Sequence, residues 1–268
     1  MGIKVMPNDR LRTDIDHQLR IAPELENFVA ATMVGPQHST TIDRRKACIF
    51  MALASKSFTT FHAIFSLLQK GLCLEDAAAL VRVLYESTMT AAFLLQADDR
   101  AVDDYADFFM YRNWRDHQLA KIVNPVGAAN AFAPETLRKM ERQFNQVRGR
   151  YKNGRWTSLS GEAMAKVADE HLPGGFKVFT LLYASIYRQC SAYVHSDVRS
   201  LQREIEESAE GFVYINRPIS KELCGRLMHA ANFLMLAMCF MVSAAFYGKK
   251  YTAQWNSLVL HWSGTAVT

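Results

Sequence analysis

The chain has 268 residues, of which 50% are hydrophobic and 21% are charged, and its formal net charge is +5. With 13 glycines, 7 prolines and 12 methionines, the composition favours packed helices over a β-sandwich or barrel. None of the five cysteines lies in a C-x-x-C pair, which argues against a zinc knuckle or a disulfide framework and favours a reducing compartment. The net charge is too small to identify a nucleic-acid-binding protein by itself.

Apolar periodicity and capping residues predict helices along most of the chain. The first helix is expected over residues 9–33, and a second begins at a cap provided by Thr41 or Asp43. The pattern places a loop over residues 124–134. The remaining predicted helices cover residues 75–96, 98–123, 135–150, 160–171 and 176–195, and a last long helix is capped by Ser220.

Extended structure is favoured only between residues 203 and 218, where Phe212-Val-Tyr-Ile215 is a short run of strand-favouring residues. We therefore expect an all-α helical bundle with at most one short β-hairpin near 205–217. No repeat or low-complexity linker divides the chain, so residues 1–268 are predicted to form a single domain. Its core would cover about 42–250, with helix 9–33 and the tail 251–268 packed on it.

The apolar segment 227–247 is long enough to span a bilayer. It contains His229, Asn232 and many alanines, which favours a central core helix; a membrane-associated protein is the alternative. The N-terminus has no apolar stretch of signal-peptide length. The sequence therefore predicts a cytoplasmic protein without a membrane partner.

The predicted helix 176–195 carries the clearest candidate site. An apolar stripe recurs along it at spacings of three and four, whereas Arg188, Ser191 and His195 group on a different face. A histidine can move a proton to or from a ribose hydroxyl or a leaving oxygen, and an arginine can bind phosphate and stabilise developing charge. The alternative interpretation is an ordinary solvated helix face.

Two charges, Arg82 and Glu86, lie four residues apart in the otherwise apolar third helix. Buried charges are costly unless they are paired. They therefore form either a structural ion pair or the lining of a polar pocket, in which Glu86 could orient His195.

A basic segment covers residues 138–155, with Tyr151 and Trp156 interleaved or adjacent. Cations and aromatic rings together can bind phosphates and stack on bases, although a solvated basic helix and loop would have the same composition. No metal-ligand spacing, glycine-rich phosphate loop or nucleophile elbow is present, so neither a metal nor a cofactor is predicted. The residues predicted to bind RNA are Arg148, Arg150, Lys152, Arg155 and Trp156.

Three motifs resemble a bacterial family of helical proteins known only as domain of unknown function 5677. They are an Arg-x-x-x-Glu helix, a tryptophan-led loop and a Tyr-x-x-x-Ser-x-x-x-His helix end, and the resemblance covers residues of about 45–200. The motifs read here Arg82-Val-Leu-Tyr-Glu86, Trp156-Thr-Ser-Leu-Ser160 and Tyr187-Arg-Gln-Cys-Ser191-Ala-Tyr-Val-His195. This family's name implies no activity.

The spacing of Arg188 and His195 also resembles the Arg-x(4–6)-His motif of the HEPN superfamily of helical ribonucleases. The resemblance implies an HEPN-like bundle, often a dimer, that acts in toxin–antitoxin, CRISPR or abortive-infection systems. Arg188 would bind phosphate and His195 would be the acid and base. Gln189 departs from the superfamily, in which Asn, Asp or His often follows the arginine.

We therefore expect a metal-independent RNA endonuclease of a bacterial phage-defence or toxin-type system. Arg188 and His195 would perform the chemistry, and the expected partners are RNA, a second copy of the chain and a protein of the same defence system. The alternative is a non-catalytic module that binds a ligand or protein partner. Supporting roles fall to Arg82, Glu86, Ser191 and Tyr187.

Overall fold

The computed structural model describes residues 13–33, 42–71, 74–151, 154–170, 177–194, 205–208, 211–214 and 220–263. It is an all-α helical bundle, as predicted. The helices are α1 (Ile15–Met33), α2 (Arg44–Gln69), α3 (Leu74–Gln96), α4 (Asp99–Val123), α5 (Pro125–Asn130), α6 (Pro134–Val147), α7 (Gly161–Glu170), α8 (178–194), α9 (Lys221–Tyr247) and α10 (Thr252–Ser263).

A β-hairpin lies at the position where the sequence favours extended structure. Strands β1 (Ile205–Ser208) and β2 (Gly211–Tyr214) pair antiparallel, with Ile205 opposite Tyr214 and Ser208 opposite Gly211. The hairpin predicted near 205–217 is therefore present, and β1 and β2 are the strands found among the described residues.

The chain divides into two compact units. One, called the bundle, is formed by residues 1–96 and 161–268, and the other, called the insert, is formed by residues 97–160. The bundle contains α1–α3, α7–α10 and the hairpin, whereas the insert contains α4–α6. The single-domain organisation stays a prediction.

Helix α9 is the centre of the bundle and packs against α1, α2 and α3. It is apolar nearly all round, and a helix of that kind is stable in water only when its whole circumference is covered. The sequence predicts that segment 227–247 is a core helix, and in the structure most of its side chains are buried against the neighbouring helices. The largest fully buried side chains of the bundle include Phe28, Phe50, Phe61, Leu84, Met228, Leu234 and Met235.

Helices α1 and α9 approach closely where α9 begins. A Cβ atom at Gly225 would lie 1.9 Å from the carbonyl oxygen of Thr13, so only glycine fits there. Further along, the side-chain amide of Asn232 donates to the Gln18 backbone oxygen at 2.9 Å and to its side-chain oxygen at 2.8 Å. Both residues are fully buried, and this polar pair fixes how α1 lies along α9.

The caps predicted at two helix starts are present. The carboxylate of Asp43 accepts from the backbone N–H groups of Arg45 and Lys46, and Ser220 Oγ accepts from Leu223 N at 3.3 Å. Helix α10 returns along α9, where Trp255 Nε1 donates to the Leu236 oxygen at 3.0 Å.

The insert has its own small core. Tyr111 of α4 stacks on Phe144 of α6, with 5.5 Å between ring centroids, and the buried Tyr151 packs edge-on against Tyr111.

The loop predicted over 124–134 is only partly correct, because α5 occupies its first half. Asn124 caps that helix by accepting a hydrogen bond from Gly127 N at 2.9 Å. Pro125 is its first residue, a position where a backbone N–H would have no acceptor within the helix.

Within the described part of the chain, three helices are long and apolar enough to cross a membrane: α2, α3 and α9. In α9, 78% of the most apolar stretch is buried inside the bundle. Both the absence of a membrane partner and the cytoplasmic location stay predictions.

Candidate functional site

A charged and aromatic cluster joins α3 to α8 in the bundle. Arg82 Nε donates to Glu86 Oε1 at 3.1 Å, and the Tyr187 hydroxyl donates to the same oxygen at 3.0 Å. The Arg82 guanidinium also lies over the Tyr187 ring, 5.3 Å from its centroid. The i,i+4 pair predicted in the third helix is thus an ion pair, and Tyr187 is its third member.

The cluster is only partly buried, because the side chains of Arg82 and Glu86 are 19% and 45% exposed. Burial would lower the pKa of Arg82, but the hydrogen bond and the charge of Glu86 raise it above its ordinary value. Burial, followed by the negative charge of Glu86, raises the pKa of Tyr187. The arginine therefore stays charged and the phenol stays protonated, so both remain donors to the carboxylate.

The middle of α8 is a π turn, which sequence periodicity did not predict. Residues Val178–Leu182 and Arg188–Val194 are α-helical, whereas Tyr183–Tyr187 form an i→i+5 turn closed by the Arg188 N–H donating to the Tyr183 oxygen. The Tyr183 and Tyr187 rings stack at 5.0 Å with 16° between their planes. Short π turns of this kind are frequent at functional sites.

A buried tyrosine on α3 supports this turn. The Tyr85 ring centroid lies 5.1 Å from that of Tyr187, and the Tyr85 hydroxyl donates to the Phe179 backbone oxygen at 2.9 Å. Burial raises the pKa of Tyr85 far above its usual range, so the phenol stays neutral. Tyr85 therefore fixes both the start of α8 and the ring of Tyr187.

The first turn of α8 is capped by a residue from another helix. The carboxylate of Asp169, in α7, accepts from the backbone N–H groups of Phe179 at 2.7 Å and Thr180 at 2.9 Å. Asp169 is buried, so these bonds are sheltered from water. A carboxylate at a helix N-terminus also faces the positive end of the helix dipole.

The predicted catalytic pair follows the π turn. Arg188 begins the last α-helical part of α8 and is exposed, and the half-buried Ser191 lies one turn further along. His195 lies outside the described residues, directly after Val194, so the predicted pairing of Arg188 with His195 stays a prediction. Arg188 also contributes, after Lys166, to lowering the pKa of the exposed Glu162 carboxyl.

Behind the cluster lies a protonated thiol. Cys190 is buried, and burial raises the pKa of its thiol to about 12, although the charge of Arg82 acts in the opposite direction. A thiol in this state is a packing group and not a nucleophile.

The residues predicted to bind RNA lie in the insert. Arg148 and Arg155 are exposed and Trp156 is half-buried, while Lys152 lies outside the described residues. Arg150 is already engaged: its Nη1 contacts Asp104 Oδ1 at 2.9 Å and its Nη2 contacts Asp107 Oδ2 at 2.8 Å. Two carboxylates thus neutralise the Arg150 guanidinium and hold it in place.

Sequence reasoning missed two residues of structural importance, Asp169 in the bundle and Arg100 in the insert. Asp169 gave no signal because the amides that it caps are ten and eleven positions away. Arg100 lines a cavity together with Arg150 and Arg155, but it lies outside the basic segment in sequence.

Among the described residues, no group of three or more His, Cys, Asp or Glu side chains could hold a metal ion.

The model of the family of unknown function DUF5677 matches residues 47–212, which is more than half of the chain. The chain therefore belongs to the DUF5677 family. No curated protein and no solved structure matches the chain. The matched range includes the Arg82–Glu86 pair, the tryptophan-led loop and the whole of α8.

Proposed function

We propose that this member of the DUF5677 family is a metal-independent RNA endonuclease of a bacterial phage-defence or toxin-type system. The observation that carries the proposal is the exposed Arg188. Its guanidinium has no hydrogen bond or ion pair to any residue that the structure describes. An exposed guanidinium that makes no hydrogen bond or ion pair with a described residue is suited to an anionic ligand such as a phosphodiester.

In the proposed reaction, Arg188 binds the non-bridging oxygens of the scissile phosphate and stabilises the charge that develops on them. His195 takes the proton of the ribose 2′-hydroxyl, whose oxygen attacks phosphorus. The bond from phosphorus to the 5′-oxygen breaks, and that oxygen takes a proton from a second imidazolium. The products are a 2′,3′-cyclic phosphate and a 5′-hydroxyl.

The need for both a base and an acid explains why we propose an HEPN-like homodimer. One chain offers one His195, and a second copy would contribute the other. In this scheme Arg82, Glu86 and Tyr187 are positioning residues, because they brace α8 one turn before Ser191 and do not touch the substrate. Arg148, Arg150, Lys152, Arg155 and Trp156 would guide the RNA strand.

The proposal is tested by cleavage of total RNA and labelled transfer RNA in the presence of EDTA. The wild type is compared with His195→Ala and Arg188→Ala, each checked for folding by circular dichroism. Matched controls are His62→Ala and Arg226→Ala, which remove an exposed histidine and an exposed arginine elsewhere in the bundle. Cleavage that is lost only in the first two variants supports the proposal, and equal cleavage by all five proteins contradicts it.

A second candidate is the non-catalytic module that binds a ligand or protein partner. The observation that favours it is the network in which Arg82 and Tyr187 both donate hydrogen bonds to Glu86. Because these three side chains bind one another, the network suits a structural or binding role. In that case the wild type would cleave no RNA, even with a cell extract added to supply an activator. The His195→Ala variant would instead change the affinity for a partner.

A further inference from the structure

The insert contains an open cavity whose lining residues all belong to the insert. It has a volume of about 730 Å³ and lies between the first turns of α4 and the chain that follows α6. This is the size of a typical small-molecule site. The side chains that matter for its chemistry are Arg100, Arg150, Arg155, Trp156, Thr157 and Ser158.

The charged side chains that line the cavity are three arginines and one aspartate, so its lining carries a net positive charge. Arg150 is neutralised by Asp104, which also lines the cavity, and by Asp107. Arg100 and Arg155 are exposed, and neither has a hydrogen bond or ion pair with a residue in the described ranges. Two guanidiniums that line one cavity and make no ion pair with a described residue favour an anion, and their planar forks suit the oxygens of a phosphate.

The rest of the cavity offers a rigid aromatic wall. The Trp156 indole makes a T-shaped contact with Tyr105, with 5.0 Å between ring centroids, so its orientation is fixed. The buried Tyr151 donates to the Asp104 backbone oxygen at 2.7 Å, and burial raises the pKa of its phenol to about 12. That hydrogen bond ties the chain after α6 to α4, so the cavity is formed before any ligand arrives.

Phosphate-binding cations beside a fixed indole and two hydroxyls match the parts of a nucleotide. We propose that the cavity of the insert binds a single nucleotide, with its phosphate on Arg100 and Arg155 and its base against Trp156. Aromatic stacking tolerates any base, and Thr157 and Ser158 can hydrogen-bond the ribose. The nucleotide is either free or part of an RNA strand, and binding does not depend on cleavage at α8.

The test is a titration of the full-length wild type, in a phosphate-free buffer, followed by tryptophan fluorescence and calorimetry. The probes are uridine and adenosine monophosphates, adenosine, inorganic phosphate and a 2′-O-methyl oligouridine. The methylated strand lacks the attacking hydroxyl, so a failure to cleave RNA cannot affect the result. The variants are Arg100→Ala, Arg155→Ala and Trp156→Leu, with Arg142→Ala as an exposed arginine of α6 outside the cavity.

We expect saturable binding of the nucleotides, and weaker binding of adenosine or phosphate alone. Each arginine variant should weaken binding about tenfold or more, whereas Arg142→Ala should not change it. Similar affinities for the monophosphates and the oligonucleotide would identify a free nucleotide as the ligand, and much tighter binding of the oligonucleotide would identify RNA. The proposal is overturned if nothing binds, or if binding survives all three cavity variants while their thermal unfolding shows intact folds.

Discussion

The hydroxyl of Tyr187 donates a hydrogen bond of 3.0 Å to Oε1 of Glu86, a residue 101 positions earlier in the chain. This bond connects α8 to α3 at the turn from which Arg188 projects. Tyr187→Phe removes the hydroxyl and keeps the ring. We expect the free energy of unfolding to fall by about 0.5–1 kcal/mol, because water can replace part of the lost bond at a carboxylate that is 45% exposed.

Urea unfolding followed by circular dichroism measures this loss. Tyr183→Phe is the matched control, since the Tyr183 hydroxyl has no hydrogen bond to any described residue although its ring stacks on Tyr187. Equal stability of the two variants would show that the bond to Glu86 contributes nothing.

The cap from Asp169 makes a stronger prediction. Asp169→Ala leaves the amides of Phe179 and Thr180 without their acceptor in a buried setting. We expect destabilisation by about 2 kcal/mol and faster hydrogen exchange at these two amides. Glu170→Ala, at the exposed neighbouring position, should change neither quantity. Unchanged exchange at the two amides in Asp169→Ala would contradict the capping role.

Alkaline pH should destabilise the bundle partly through Cys190. The thiol is neutral in both states well below pH 9, which is its ordinary pKa, and burial raises the pKa of the folded-state thiol to about 12. Between these values the unfolded chain releases a proton that the folded chain keeps, so stability falls as pH rises. The slope from this one group is at most about 1.4 kcal/mol per pH unit.

The measurement is urea unfolding between pH 8 and 10.5 for the wild type and Cys190→Ala. Other buried acids, such as Cys239, affect both proteins alike and cancel in the comparison. We expect the wild type to lose stability more steeply than the variant above pH 9. Parallel curves would mean that the Cys190 thiol titrates normally in the folded protein.

The contact between α1 and α9 predicts a severe effect of one methyl group. In Gly225→Ala, the new Cβ would meet a backbone oxygen of Thr13 at 1.9 Å, so one of the two segments must move. We expect a loss of about 2 kcal/mol or more in thermal or urea unfolding. Gly149→Ala is the control, because no atom lies within 4 Å of its added Cβ. Its stability should stay within about 0.5 kcal/mol of the wild type.

Much of the fold could be predicted because its signals are local. The caps at Asp43 and Ser220, the burial of the apolar segment 227–247 and the short hairpin all follow from neighbouring residues. Helix α5 was missed although Asn124 and Pro125 form a standard helix start, since the alanines and glycine behind them gave no apolar face to detect.

The site was only partly predictable, because only some of its contacts join residues that are close in sequence. The Arg82–Glu86 pair is separated by one helical turn and is visible in sequence, and the pair is present. The third partner, Tyr187, and the cap by Asp169 depend on how α3, α7 and α8 pack, which no local spacing encodes. The neutralised Arg150 shows the same limit, because a count of cations in residues 138–155 cannot show that two carboxylates of α4 bind one of them.

The π turn also has a consequence for how α8 tolerates changes in chain length. An i→i+5 turn holds one residue more than an α turn, so residues Tyr183–Tyr187 contain a surplus residue that the helix has absorbed. Deleting one residue there, such as the exposed Ala184, would restore a plain α-helix and leave Arg188 and Ser191 on their present side. Deleting one residue after Arg188 would instead turn everything beyond it by about 100° around the helix axis. We therefore expect α8 to tolerate the deletion of one residue within Tyr183–Tyr187 but not the deletion of one residue after Arg188.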